Sequence, residues 1–420
     1  MESSQAAEAS AVTAPPPGLD PLGPWALAGG RWFWGQPILS DDLSEVGDSG
    51  TWVVCLSAEG SIVAARFPHS ARAAAPPGAG SSSASGASGA PEASPPTLGE
   101  GAAEGADEPW RSSLTRGQYS ARVDDIRERI AAGDVYQVNL TRRLAGGPRS
   151  DHPGPSALAL TLALASGHAA PHAASMAVPE AGVWVVGASP ERFLSRHGDV
   201  VSSQPIKGTA PRPELLSAKD RAENAMICDL VRNDLGRVCQ PGTVEVPHLL
   251  ALEHHPGLVH LVTTVTGRLR AGVSWPQLID ALFPPGSVTG APKLAALATI
   301  DDLEHTPRGP YCGALGWVDG DEDTADLAVS IRTFWAASDT DTDTDTDTDT
   351  GSAARAQGSA SPSAAWRWTF GTGGAITWDS DATDEWNETE LKSARLLHVA
   401  AEPLRRIGPR LTPEATPRAW

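Results

Sequence analysis

The stretch Pro205-Ile206-Lys207-Gly208-Thr209 lies between an alternating, strand-like pattern and a long, charged, helix-like one. Proline restricts the backbone on one side of Lys207, and Gly208 permits close approach on the other. A lysine held that rigidly can be dried out, which lowers its pKa and frees the amine as a nucleophile. The same five residues also describe a surface turn whose lysine does no chemistry, so the surrounding chain has to decide.

Upstream, Val183–Gly187 and Arg192–Ser195 read as strands joined by the tight connection Ala188-Ser189-Pro190-Glu191. His197-Gly198-Asp199 reads as a hairpin turn leading through Val200-Val201 to Lys207. Glu191 and Lys207 thereby fall at the ends of one hairpin or of neighbouring strands, which is compatible with a shared pocket. Downstream, Glu214 to Val238 is helical in pattern, and Asp220 and Glu223 share a face with Ile227 and Leu230. Two acids above an apolar stripe suit a metal in a cleft. A solvated acidic first turn accounts for them equally well in isolation.

Further out, Ser120–Gly133 has helical spacing, and Tyr136, Val138 and Leu140 alternate with Gln137, Asn139 and Thr141 as a strand does. Ala157–Ala165 reads as a buried helix, and His260 lies in the β-like run Leu258–Val265, where a core role is the commoner one. Pro284–Lys293 is a glycine-rich loop entering a helix, but it lacks the spacing of a phosphate-binding loop. Phe370–Gly374 reads as another such loop and fails the dinucleotide pattern. In the helical run Asp384–Val399, Glu385, Glu388 and Lys392 share one face, as a metal site or a surface ion-pair ladder would.

The 420 residues allow two ordinary domains or one large one. The formal charge, 32 − 51 = −19, comes without a basic patch and argues against a nucleic-acid partner. No charged and then apolar leader follows Met1, and no apolar run is long enough to span a bilayer, so neither secretion nor a membrane location is expected. Cys55, Cys228, Cys239 and Cys312 are scattered, which predicts reduced thiols in a cytoplasmic protein. Composition divides the chain into a tail (1–20), a short β-rich region (21–70) and a low-complexity linker or insertion (71–110). A folded body (111–400), interrupted by a low-complexity insertion (338–364), and a second tail (401–420) follow. The Asp-Thr repeat inside that insertion lacks the ligand order of a calcium loop.

Several segments occur in a telling order. They are Gly133–Leu140 (GDVYQVNL), Ser189–Phe193 (SPERF), Pro205–Thr209, Lys219–Asn224 (KDRAEN) through Arg232-Asn233-Asp234-Leu235, and His260-Leu261-Val262. Gly286–Lys293, Ile331-Arg332, Gly371–Gly374 and Glu388-Thr389-Glu390-Leu391-Lys392 complete the series. Over residues 116–399 the chain resembles the chorismate-utilising enzymes, and within them the aminodeoxychorismate branch. The resemblance implies an α+β fold, with two antiparallel β-sheets packed as a sandwich and helices on the outside.

It also implies roles. Hydroxide leaves chorismate poorly, so an acid must protonate the 4-hydroxyl while a metal holds the ring carboxylate. By resemblance Glu191 is the general acid. Glu223 and Glu388 bind Mg2+, and Asp220 and Glu385 support it, often through water. Arg332, Lys392 and the amides of Gly373 and Gly374 hold substrate carboxylates; Ser287, Thr289 and His260 line the pocket. Enzymes resembling anthranilate synthase carry alanine where Lys207 stands. In the aminodeoxychorismate branch the lysine attacks C2, expels the 4-hydroxyl, and leaves after ammonia has added at C4. The expected product is 4-amino-4-deoxychorismate, a precursor of p-aminobenzoate and folate. An anthranilate- or isochorismate-forming enzyme is the alternative, and a non-catalytic chorismate-binding scaffold a more distant one. No cysteine sits in a Gly-x-Cys-x-Gly elbow, so ammonia is expected from a separate glutamine amidotransferase subunit.

Overall fold

The computed structural model describes residues 15–73, 110–150, 152–167, 170–255, 258–338 and 366–406. The expectations for the N-terminal tail before 15, the linker at 74–109, the insertion at 339–365 and the tail beyond 406 lie outside the described residues. Within them the chain forms two ten-stranded sheets in which every pairing is antiparallel.

The first sheet runs Gly290–Ala291, Gln137–Ser150, Trp366–Ile376, Thr333–Ser338, Val183–Ser189, His172–Val178, Trp25–Ala28, Arg31–Trp34, His69–Arg72, with Arg111–Ser112 beside Gln137–Ser150. The second runs Ile206–Ala210, Leu258–Arg268, Val200–Gln204, Arg192–His197, Thr324–Val329, Ala314–Asp319, Thr51–Leu56, Ile62–Arg66, Ile38–Ser40, with Glu245–His255 beside Leu258–Arg268. Strands from the 21–70 region enter both sheets, so this region is woven into the same architecture as the 111–400 body.

Alternation along the strands gives each sheet an apolar inner face. Ala26, Met176, Val185 and Trp335 of one sheet share a core with Val53, Leu194, Val265 and Leu327 of the other. This is the α+β sandwich implied by the resemblance. The outer face of the first sheet is covered by the helices Gly154–Gly167 and Ala382–Arg406, which bury Trp25, Trp32, Trp184 and Trp368. Several of the chain's fourteen tryptophans thus have a packing role that no motif announces. On the second sheet, the helix Ala218–Gly236 buries Ile227, Val231 and Leu235.

One local expectation is corrected. Phe370–Gly374 is not a loop but part of the strand Trp366–Ile376; Phe370 pairs on both sides, and Gly371–Gly374 pair with Arg143–Leu140. Its glycines answer to space rather than to a turn: a Cβ on Gly371 would lie 2.1 Å from the Tyr311 ring. All four cysteines are free and buried, and among the described residues no helix is long and apolar enough to cross a membrane.

Candidate active site

Lys207 lies in a β-bulge. Ile206 pairs with Val262 and Thr209 with His260, and the register shifts between them, which re-aims the intervening side chains. Gly208 takes φ +89°, and a Cβ there would meet the Asp220 Cβ at 2.9 Å, so both conformation and space require glycine. The buried Asn224 donates to the Lys207 carbonyl (3.4 Å) and the Leu261 carbonyl (2.8 Å), and accepts from the Thr263 hydroxyl. The bulge is thereby tied to the helix behind it and the strand beside it. Asn224 had no role assigned from sequence; its signal was membership of the KDRAEN segment.

The helix Ala218–Gly236 starts at a capping box. The Asp220 carboxylate accepts from the Ser217 amide (2.8 Å) and hydroxyl (2.7 Å), and Ser217 Oγ accepts from the Asp220 amide (3.0 Å). Asp220, expected beside a metal, is thus turned back onto Ser217. The cap sets Lys219 and Glu223 one turn apart, facing the start of the helix Ala382–Arg406. Lys219 Nζ lies 3.1 Å from Glu385 Oε1 and 3.8 Å from Glu223 Oε1, and it donates to Ser380 Oγ at 3.4 Å. Lys392 Nζ lies 2.6 Å from Glu388 Oε1 and donates to the Gly373 carbonyl at 3.0 Å. Gly374 lets the strand come close to Glu385, since a Cβ would sit 2.9 Å from Glu385 Oε2.

Electrostatics join these groups. Burial pushes the Lys207 amine below its usual pKa; Glu223, Glu191 and Glu388 oppose that shift and Lys392 adds to it. Burial raises Glu223, against Lys207 and Lys219 and with help from Glu385 and Glu388. Glu388, whose side chain is 48% exposed, bears a desolvation cost against ionisation, yet Lys392, Lys207 and Lys219 together hold its pKa below the usual range. Glu191 sits where the chain crosses from one sheet to the other and is only 3% exposed. Desolvation lifts its pKa from 4.5 to about 7, although the Ser287 hydroxyl, Lys207 and the Ile206 amide favour the ionised form. Glu191 and Ser287 line one small cavity with Pro205, Gly286 and Asp234.

The other residues singled out from sequence are placed as follows. Thr289 is buried and donates its hydroxyl to the Pro285 carbonyl (3.1 Å), within its own loop. Buried His260 shares a 2.8 Å hydrogen bond between its Nδ1 and Thr209 Oγ1. Arg332, at φ 53°, has its pKa lowered by burial and by Arg395, not by the lysines of the cleft. Sequence reasoning missed the brace of the Ser287–Thr289 loop, the buried pair Arg308–Glu304. Arg308 reaches Glu304 at 2.7 and 2.8 Å and donates to the carbonyls of Val288 and Asn139, each at 2.7 Å.

As a metal site the donor chemistry is that of a hard divalent cation: carboxylate oxygens from two facing helices, near enough to perturb one another. No three His, Cys, Asp or Glu side chains among the described residues converge closely enough to ligate one ion. Lys219 and Lys392 stand among the carboxylates instead.

The model for the chorismate binding enzyme family matches residues 77–398, and the chain belongs to that family. It is 38% identical over 304 residues to aminodeoxychorismate synthase component 1 of Klebsiella aerogenes, covering 69% of this chain and 59% of the relative. It is also 40% identical over 236 residues to an anthranilate synthase component 1 of Haloarcula marismortui, covering 53% of this chain and 47% of that one. The chain therefore spans no more than about six-tenths of the length of these relatives. Among solved structures, anthranilate synthase component I from Streptococcus pneumoniae shares the fold, with TM-score 0.61 and 20% identity over 92% of this chain and 94% of that one.

Proposed function

We propose that this chain aminates chorismate at C4, yielding 4-amino-4-deoxychorismate, with ammonia delivered by a glutamine amidotransferase subunit. The observation that carries the proposal is Lys207, a bulge amine with lowered pKa, coupled electrostatically to Glu191, a buried carboxyl whose pKa is raised to about 7. The lowered pKa favours the uncharged, attacking form of the amine, and the raised pKa of Glu191 keeps a proton available near neutrality. The neutral Lys207 Nζ attacks C2, the ring double bond shifts, and the C4–O bond breaks as Glu191 protonates the departing oxygen to water. Ammonia adds at C4, the electrons return, and Lys207 leaves C2 as the free amine. While its nitrogen occupies C2, that carbon is closed to ammonia, which gives the para relationship of the product.

Glu223 and Glu388, with Glu385 beside them, would hold Mg2+, which supplies a positive anchor for the ring carboxylate. The lysine favours this branch over the anthranilate-forming one, for which alanine is expected at the position. The test is to incubate the protein with chorismate, Mg2+ and ammonium and identify the product. The 4-amino compound is expected; an ortho-aminated product or isochorismate in its place refutes the assignment.

A further inference from the structure

The ammonium of Lys219 is the feature of the cleft that the chemistry above does not use. It lies on the second residue of the helix Ala218–Gly236, close to the positive end of the helix dipole, where a cation is disfavoured. Its partner one turn on, Glu223, is in the weaker orientation for a helical ion pair, with lysine preceding glutamate. Local helix energetics therefore do not explain a lysine here. The contacts across the cleft do. Glu385 is 3% exposed, and its Oε1 accepts from Lys219 Nζ at 3.1 Å and from Ser380 Oγ at 2.6 Å. Without the ammonium this buried carboxylate would keep one neutral donor, a costly state for a charge. The same Nζ lies 3.8 Å from Glu223 Oε1, so one cation spans carboxylates from two helices.

We propose that Lys219 is a tethered counter-cation, a positioning residue that holds Glu223 and Glu385 facing each other until Mg2+ takes its place. The proposal rests on the magnesium reading given above. A hard cation and an ammonium seek the same carboxylate oxygens, so the metal must push Lys219 out towards solvent. The side chain is already 41% exposed and has somewhere to go. The lysine thus keeps the acids together in the metal-free protein and sets the threshold at which metal enters.

The experiment is calorimetric titration of Mg2+ without chorismate into the full chain, into Lys219→Met, and into Arg221→Met. Arg221 is exposed on the same helix, and its variant removes an equal charge that lies off these carboxylates. Lys219→Met should bind Mg2+ roughly 5- to 10-fold more tightly, the scale of one partly exposed ion pair, while Arg221→Met stays within about twofold. Without metal, Lys219→Met should melt below the parent, and saturating Mg2+ should close the gap, because the ion then does the work of the ammonium. If the methionine variant fails to fold, Lys219→Gln, which keeps one donor to Glu385, is read in the same way. Unchanged or weaker Mg2+ binding by the variant overturns the inference, as does equal tightening by Arg221→Met. Absence of Mg2+ uptake by the parent chain removes the magnesium reading itself, and the inference with it.

Discussion

Replacing Glu191 by glutamine should make the protein more stable at alkaline pH while it abolishes turnover. The folded chain holds the Glu191 proton up to about pH 7, whereas the unfolded chain releases it near 4.5. The folded state therefore binds more protons between those values, and this group's contribution to stability falls as pH rises through the window. Below 4.5 both states are protonated and the penalty vanishes; above about 7 it is complete. At about 1.4 kcal/mol per pKa unit the full penalty is about 3 kcal/mol, of which about 2.5 kcal/mol develops between pH 5 and pH 8. Glutamine cannot ionise and escapes it. With an unfolding entropy of about 2.1 cal/mol/K per residue over 420 residues, that energy corresponds to about 3 °C in Tm. The assay is scanning calorimetry of both proteins at pH 5 and pH 8. The variant should gain about 3 °C on the parent between the two pH values. A Tm difference that does not move with pH would mean that Glu191 ionises like an ordinary glutamate, and it could not then serve as an acid at neutral pH.

Lys207→Ala should lower formation of the 4-amino product by roughly 10³-fold or more, measured by chromatography of the reaction with ammonium, since no other amine is assigned to attack C2. An undiminished rate would end its role as nucleophile. Arg308→Met leaves the buried Glu304 carboxylate without its cation, held by the Thr141 amide and hydroxyl, and removes the donor to the Val288 and Asn139 carbonyls. It should cost about 3–5 kcal/mol in chemical denaturation, because a buried pair has lost one member. Removing Mg2+ with a chelator should weaken chorismate binding at least roughly 10-fold in a calorimetric titration; equal affinity with and without metal would take the ion out of substrate recognition.

Much of the fold was legible because alternation is a strong signal wherever one strand face is buried. Arg192–Ser195, Val200-Val201 and Leu258–Val265 all lie on strands of the second sheet. The glycines of 371–374 misled because flexibility and lack of bulk look identical in a sequence. Only the Tyr311 ring, 60 residues away, shows that space decided. The acids fared in the same way. Helical spacing put Asp220 and Glu223 on one face but could not say that Ser217 would engage the first of them. Lys219 and Asn224 stood in a quoted motif without a role, and Arg308 stood in none, because each acts across helices, strands and loops distant in sequence, and no local period marks such a partner.

Charge balance explains why so many ionised groups can share this cleft. Among the acids and lysines that pair with one another, Glu223, Glu385 and Glu388 face two ammonium groups, Lys219 and Lys392. That leaves one negative charge in excess. A dianion arriving alone would raise the excess to three in a partly dehydrated space, where like charges repel strongly. A divalent cation arriving alone would turn it into a single positive charge. Together they restore the original balance, so on the proposed reading each prepares the cleft for the other. The lowered pKa of Lys207 bears on the same balance: the protonated amine would offset the excess negative charge but lose its nucleophilicity. On the proposed reading, the desolvation that lowers its pKa serves both the binding and the attack.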